Sequence, residues 1–189
     1  MGVHKYETYV RDDMPGTKEI APGRYRIEMG RTYDDFVVGH VYEHCPGRTI
    51  TEADNVWFTL LTMNQHPLHF DNAYAADTEF MQPLVNSCLT LAIVTGMSVA
   101  DVSQKAVANL GWSKVELTAP VFVGDTIYAE SEVLSKRPSK GRPGQGLVTV
   151  RTRGLKSDGT VFMTFERTVL VPMSGTHGRL TPKQNLMSP

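Results

Sequence analysis

Residues 64–71 read Asn-Gln-His-Pro-Leu-His-Phe-Asp and lie between two apolar, helix-like segments. Pro67 has no backbone N–H and biases His66 away from the α region, so the backbone here cannot be ordinary helix. The turn presents imidazole, amide and carboxylate groups together, which is the chemistry that proton transfer needs. We predict that His69 transfers the proton, because an imidazole takes up and releases protons near neutral pH.

Several polar residues in and near this segment also have a structural or metal-binding interpretation. His66 and His69 could bind a metal ion, but no third ligand follows at a suitable spacing and a proline separates the two, so we predict no metal site. Asn64 could equally be structural, since helix C-termini favour asparagine. Asp54 and Asp71 have the positions of helix caps, which we favour over acid catalysis for both.

Composition excludes several classes of protein. The chain has 189 residues, of which 41% are hydrophobic and 21% charged, a balance typical of one globular domain. The formal net charge of -1 provides no basic field for nucleic acid or an anionic membrane. Neither a membrane span nor a signal peptide is visible, and the two cysteines have no disulfide or metal spacing. We therefore expect a soluble cytoplasmic protein.

The spacing of apolar residues predicts helices first and strands afterwards. Thr51 and Asp54 form a capping-box pattern before a helix that approaches Asn64. A short helix is predicted at 73–78, and a longer one at 85–97 is apolar on most faces, so we expect it to be buried. Strands are predicted at 25–28, 108–117, 126–135, 146–154 and 161–171.

One apolar helix followed by antiparallel strands predicts an α+β fold, in which a curved sheet wraps around the helix. Such a sheet leaves an edge strand exposed, and pairing with a second copy would cover it, so we expect a homodimer or higher homo-oligomer. We divide the chain into an N-terminal arm at 1–31, a single domain at 32–172 and a C-terminal tail at 173–189.

Three stretches, 51–71, 84–90 and 119–127, resemble the MaoC-like dehydratases, a hotdog-fold family that includes (R)-specific enoyl-CoA hydratases. Within it, residues 54–64 most resemble hydratases that act on mesaconyl-CoA and β-methylmalyl-CoA. The resemblance implies a single hotdog domain that adds or removes water across the α,β double bond of a short acyl-CoA. It implies no cofactor, because the coenzyme A thioester is itself the substrate.

The resemblance also implies roles for individual residues. His69 corresponds to the family's catalytic histidine, whereas Asn64 replaces its usual aspartate and His66 its usual asparagine. An amide cannot accept and return a proton at neutral pH as a carboxylate does, but it can orient a water molecule. We therefore predict one general acid/base, with His66, Asp71, Asp54 and Glu52 as candidates for a second acid.

The thioester oxygen needs a hydrogen-bond donor, and the family usually has His-Gly where this chain has Asn86 and Ser87. We predict that the Ser87 N–H is this donor at the start of the buried helix, with the Cys88 N–H as a second candidate. The predicted catalytic residues are thus His69, Asn64, Ser87 and His66, and the predicted substrate-binding residues are Asn86, Cys88, Asp71 and Arg48. Arg48 is the candidate for a substrate carboxylate.

Several side chains have a structural interpretation that we prefer. We expect core packing for Cys88, Trp57 and Phe58, and a simple turn at Gly124 and Asp125. The basic loop that contains Lys136, Arg137, Lys140 and Arg142 is expected to be solvated, with contact to the phosphates of coenzyme A as the alternative.

Two other functions compete with the hydratase. A thioesterase fits the same fold, although thioesterases of this fold usually carry a carboxylate on the central helix and residues 85–97 contain none. A CoA-binding partner subunit without activity of its own is favoured only by the asparagine at position 64.

Overall fold

The main sheet is antiparallel, has five strands and curves around a central helix. The computed structural model describes residues 17–176 of the chain. Across the sheet the strand order is β3-β5-β6-β7-β4. The strands are β3 (Val41–Thr49), β4 (Ala108–Leu117), β5 (Thr126–Pro138), β6 (Gln145–Lys156) and β7 (Val161–Pro172). A separate hairpin precedes them, formed by β1 (Thr17–Ala21) and β2 (Arg24–Ile27).

Three helices lie between β3 and β4. They are α1 (Glu52–Leu61), α2 (Asn72–Ala76) and α3 (Ser87–Met97). A π-helical segment, Val99–Ser103, continues from α3 towards β4. The predicted α+β arrangement of a central helix and an antiparallel sheet is therefore confirmed. None of the helices in the described part of the chain is long and apolar enough to cross a membrane.

Alternating side chains of the middle strands form the core. Residues at every second position of β5, β6 and β7 point towards the helices and are buried, as the period of a half-buried strand requires. One apolar cluster contains Leu89 and Val94 of α3, and a second contains Val102 of the π-helical segment.

A buried polar cluster includes His44, whose two ring nitrogens lie 2.9 Å from an oxygen of Asp101 and 2.8 Å from Ser131 Oγ. Burial lowers the pKa of His44, although the Asp101 carboxylate opposes this shift. Arg167 donates to Ser98 Oγ at 2.8 Å, and burial lowers its pKa to about 10.

The apolar composition of the central helix predicted that it would be buried. In the structure, some of its faces are exposed. Leu89, Thr90 and Val94 are buried, but Cys88 and Ala92 are exposed in the single chain. The expectation of core packing for Cys88 is therefore wrong, and so is that for Trp57, which is 67% exposed. Both residues lie on helix faces that the sheet of one chain does not cover.

Parts of both predicted terminal segments lie outside the described residues. These are residues 1–16 of the N-terminal arm and 177–189 of the C-terminal tail. The described part of the arm forms the β1–β2 hairpin, whose side chains are mostly exposed. The boundaries at 31/32 and 172/173 stay predictions.

Helix α1 ends in a Schellman motif that places the polar segment after it. The Asn64 N–H donates to Thr59 O at 3.0 Å, and the Met63 N–H donates to Leu60 O at 3.2 Å. Met63 has a φ of 62°, the left-handed conformation that a residue with a Cβ adopts at a cost. The chain thus leaves α1 in a fixed direction, with Asn64 as the first residue of the polar segment.

We predict that Met63→Gly raises the free energy of unfolding by about 1 kcal/mol, because glycine has no Cβ to strain at this φ. Chemical denaturation of the variant and the wild type measures the difference. Met63→Ala, which keeps the Cβ, is the matched control and should change stability little. A Met63→Gly protein less stable than the alanine variant would contradict this account of the helix end.

Candidate active site

The polar segment at 64–71 is held by its own side chains. Asn64 Oδ1 accepts the His66 N–H at 3.0 Å, and His66 Nδ1 accepts the Leu68 N–H at 3.2 Å. Residues Pro67–His69 form one 3-10 turn with proline at its start, where a missing N–H costs nothing. The segment therefore presents its side chains from a short, locally rigid turn.

The ring of His69 is oriented by a backbone carbonyl that lies just before α3. His69 Nδ1 is 2.8 Å from Leu84 O. Because a carbonyl only accepts hydrogen bonds, Nδ1 must carry the hydrogen, and the neutral ring then has its lone pair on Nε2. Among the described residues, Nε2 has no hydrogen-bond partner. His69 therefore has the tautomer of a general base.

His66 lies beside His69 but is more exposed. The centroid of its ring is 6.0 Å from that of His69 and 5.9 Å from that of Tyr74. Since its Nδ1 accepts from the backbone, a neutral His66 carries its hydrogen on Nε2 and can act only as a donor there. The structure thus places the two histidines together with opposite tautomers.

The N-terminus of α3 leaves one backbone donor without an acceptor. Asn86 caps the helix, and its Oδ1 accepts the Cys88 N–H at 2.9 Å. The Cys88 N–H, the second candidate for binding the thioester oxygen, is therefore already bonded to the helix cap. Within the described chain the Ser87 N–H has no acceptor, as is usual for a first helical residue.

Ser87 borders a cavity of about 300 Å³ between α3 and the loop before β5. Its lining is mainly apolar and includes Phe80, Leu84, Thr90, Leu117, Pro120 and Phe162. His69 borders a second concave surface, with Glu52, Val56, Phe70, Gln82 and Val123. Leu84 connects the two, because its carbonyl bonds His69 and the residue also lines the Ser87 cavity.

Asp71 and Asp54, for which we favoured helix capping over acid catalysis, are both caps, as predicted. Asp71 Oδ1 accepts the N–H groups of Ala73 and Tyr74, both at 3.0 Å, and so starts α2. Asp54 completes the capping box of α1 with Thr51. Partial burial raises the pKa of Asp54, but hydrogen bonds from Thr51 and the charge of Arg48 outweigh it, so the net pKa lies below the ordinary value.

Arg48 does not lie in the His69 concavity. Its guanidinium pairs with Asp54, and its side chain is half exposed. It borders a wide apolar groove of about 720 Å³ along α3, together with Phe58, Leu89, Ile93, Gly96 and Met97. His69, by contrast, bonds Leu84, and Asn86, Ser87 and Cys88 form the start of α3. Asn64 and His66 bond within the polar segment, and Asp71 caps α2.

The basic loop lies at the far end of the sheet. Lys136 and Arg137 belong to the last residues of β5, and Lys140 and Arg142 lie in the loop after Pro138 that joins β5 to β6. Val123, just before β5, borders the His69 concavity. The 13 residues of β5 span about 40 Å at the usual rise per residue. Within one chain, this loop is therefore remote from the site.

Sequence reasoning missed Asn55, which is completely buried. Asn55 Nδ2 donates to His69 O at 2.8 Å and to Leu84 O at 3.1 Å, and its Oδ1 accepts the Asn86 N–H at 2.9 Å. The sequence shows only an asparagine after a capping residue. A polar residue in a helix usually faces solvent, so nothing in the pattern marked it.

A second polar arrangement was also missed, and it has the order of a catalytic triad. Asp101 pairs with His44, and His44 pairs with Ser131 Oγ at 2.8 Å. Ser131 is fully buried and also bonds Thr152, so no substrate can reach its hydroxyl. This cluster connects elements of the core. The described residues contain no group of three or more His, Cys, Asp or Glu side chains suited to a metal ion.

The curved sheet around a helix is the hotdog fold. A protein from Mycobacterium tuberculosis described as having a double hotdog fold superposes with a TM-score of 0.71 at 25% identity. The match covers 79% of this chain and 46% of that one. Residues 35–154 match the MaoC like domain. This chain belongs to that family.

Two curated relatives are hydratases by name. The mesaconyl-CoA hydratase of Cereibacter sphaeroides is 34% identical over 77% of this chain. The chain spans only 42% of that protein. The (R)-specific enoyl-CoA hydratase of Aeromonas caviae is also 34% identical, over 64% of this chain and 85% of its own length.

We predict that Asp54→Ala lowers the free energy of unfolding by about 1 kcal/mol at pH 7, because α1 loses its capping box. The folded-state pKa of Asp54 is lowered, so its stabilisation is present above the unfolded-state pKa and is lost as the pH falls through the folded-state pKa. Denaturation at pH 7 and below pH 4 measures both effects. A difference between variant and wild type that stays constant with pH would contradict a role for the carboxylate.

Proposed function

We propose that this protein is an enoyl-CoA hydratase, a hydro-lyase that adds or removes water across the α,β double bond of a short acyl-CoA. The observation that carries the proposal is the His69–Leu84 hydrogen bond, formed three residues before the free Ser87 N–H at the start of α3. This arrangement pairs an imidazole base with a donor for a thioester oxygen. Both named relatives carry out hydration according to their names.

In the proposed reaction, the thioester oxygen accepts the Ser87 N–H, where the positive end of the helix dipole stabilises developing negative charge. His69 Nε2 takes a proton from water while the water oxygen forms its bond to C3. The imidazolium then gives this proton to C2, so the ring returns to its starting state and water is added in full. Dehydration is the reverse sequence.

Asn64 takes part by orienting the water. Its Oδ1 is engaged by the His66 N–H, while its Nδ2 has no hydrogen-bond partner in the described chain. A water that accepts from Asn64 Nδ2 and donates to His69 Nε2 would be held by both side chains. This division of roles is consistent with an amide at position 64, because the amide transfers no proton.

The proposed substrate is a short branched or dicarboxylic enoyl-CoA such as mesaconyl-CoA, or β-methylmalyl-CoA in the direction of dehydration. The similarity to a mesaconyl-CoA hydratase over most of this chain supports this class. A thioesterase is disfavoured because α3 carries no carboxylate. The reaction needs no cofactor, since general acid-base chemistry and a backbone donor suffice.

We predict that the purified protein removes the absorbance of conjugated enoyl thioesters, tested with crotonyl-CoA and mesaconyl-CoA, without releasing free thiol. His69→Ala should lower kcat by at least about 10²-fold, the usual contribution of general acid-base catalysis, and should leave the fold intact by circular dichroism. His40→Ala, at an exposed histidine outside the site, is the matched control.

Four results would contradict parts of this proposal. No loss of absorbance with any enoyl-CoA would remove the hydratase, and release of thiol would indicate a thioesterase. A His69→Ala protein with a near-normal rate would exclude His69 as the base. If Asn64→Asp turned an inactive protein into an active one, the wild type would be a CoA-binding subunit.

The proposed partner is a second copy of the chain, paired along β4 in the cytoplasm. Strand β4 ends the sheet, and its large apolar side chains are exposed: Leu110, Trp112, Val115 and Leu117. An uncovered apolar edge is a template for pairing. The relative with a double hotdog fold is about twice as long as the region that matches this chain. This length is consistent with a second hotdog domain that occupies, in that protein, the place of the second copy proposed here.

We predict that the wild type sediments at twice the 21.0 kDa of one chain or at a higher multiple, and that combining Leu110→Lys with Trp112→Lys yields monomers. The lysines place two charges where the edge strand would be covered. Glu132→Lys, on β5, which is paired on both sides and lies away from β4, is the control and should keep the wild-type mass. A wild-type monomer would contradict the proposed partner but not the chemistry of the site.

A further inference from the structure

Asn55 uses all of its hydrogen-bonding groups on the backbone of the candidate site. Its two Nδ2 hydrogens go to His69 O and Leu84 O, and its Oδ1 accepts the Asn86 N–H. The residue is 0% exposed, so no water competes for these groups. A buried amide with every group paired holds its neighbours in one arrangement.

The three backbone groups lie next to both the proposed base, His69, and the proposed donor to the thioester oxygen, the Ser87 N–H. Leu84 O accepts from Asn55 Nδ2 and from His69 Nδ1, so both of its lone pairs are used. Asn86 caps α3 through Cys88 N, which leaves Ser87 with the free N–H. The Asn55 side chain therefore fixes the Leu84 carbonyl, which orients His69. It also fixes Asn86, which caps the helix that presents the Ser87 N–H.

We propose that Asn55 is a positioning residue, which selects the Nδ1–H tautomer of His69 and sets the distance between His69 and the Ser87 N–H. The inference rests on the proposed hydratase function for its kinetic consequences. Asn55 touches no reacting atom and acts only through Leu84, His69 and Asn86. A displacement of about 1 Å at a reacting group can cost about 10²-fold in rate, so this role has a measurable size.

Few charged groups surround Asn55. On its own helix Glu52 and Asp54 lie at the first turn, and Arg48 of β3 pairs with Asp54. The polar segment contributes His66 and His69, and the first turn of α3 contributes no acidic residue. A carboxyl placed at position 55 would therefore be buried against two carbonyl oxygens, and both burial and repulsion raise its pKa.

The test uses Asn55→Asp, which keeps the shape and the acceptor but loses the donors when it is ionised. At pH 8 we expect kcat to fall about 10²-fold with KM within about twofold of wild type, because the base and the donor are misplaced while the acyl-CoA still binds. As the pH falls, the protonated carboxyl regains one donor, so the ratio of variant to wild-type kcat should rise.

Thr152→Val is the matched control, since it removes an equally buried hydrogen bond, to Ser131, that involves none of Leu84, His69 and Asn86. It should lower stability without changing the pH dependence of kcat. If Asn55 were merely structural, both variants would lose stability and neither would change the pH profile relative to wild type.

A second measurement does not depend on activity. Nitrogen-15 NMR of the histidine rings in the wild-type protein should show His69 as the Nδ1–H tautomer, and Asn55→Asp at pH 8 should show a mixture. Wild-type His69 in the Nε2–H form would overturn the inference even if the variant failed to fold. So would an Asn55→Asp protein with wild-type kcat and an unchanged ring spectrum. An inactive wild type with the expected ring spectrum would instead remove the proposed function and leave the positioning intact.

Discussion

The hydrogen bond between His69 Nδ1 and the carbonyl oxygen of Leu84 is the constraint on which the candidate site depends. It fixes which ring nitrogen carries the hydrogen and which can act as a base. It also joins two segments that are separate along the chain, the turn after α1 and the extended residues before α3. An imidazole on a free loop would have no defined position relative to a thioester.

The fold provides this constraint through paired backbone. Leu84 forms an antiparallel bridge with Phe122, and the Val85 N–H donates to Val121 O at 2.8 Å, so the strand-like entry to α3 is held against the loop before β5. On the other side, the Schellman motif at Met63 sets the direction of the polar segment. Asn55 of α1 and His69 of the turn after α1 therefore both bond the Leu84 carbonyl, just before α3 begins. Met63, with its left-handed φ of 62°, sets the direction in which the chain leaves α1.

The sequence predicted most helices and strands but not the bounds of β1 and β3, and it predicted the burial of side chains less well. Strand β4 has the predicted bounds, and the capping box of α1 and the cap at Asp71 are observed, because local patterns determine strand periodicity and helix caps. The exposure of Cys88 and Trp57 could not be predicted, since it depends on which helix faces the sheet covers. The role of Asn55 was hidden for a related reason: its three partners belong to segments that only the fold brings together.

The most direct test of the central claim is a crystal structure of the protein with a saturated acyl-CoA, such as butyryl-CoA, bound as an unreactive analogue. The account predicts that the thioester oxygen accepts the Ser87 N–H, and that C2 and C3 of the acyl chain face His69 Nε2 while Nδ1 remains on Leu84 O. An acyl group bound in the wide groove beside Arg48, with His69 facing away from it, would contradict the account.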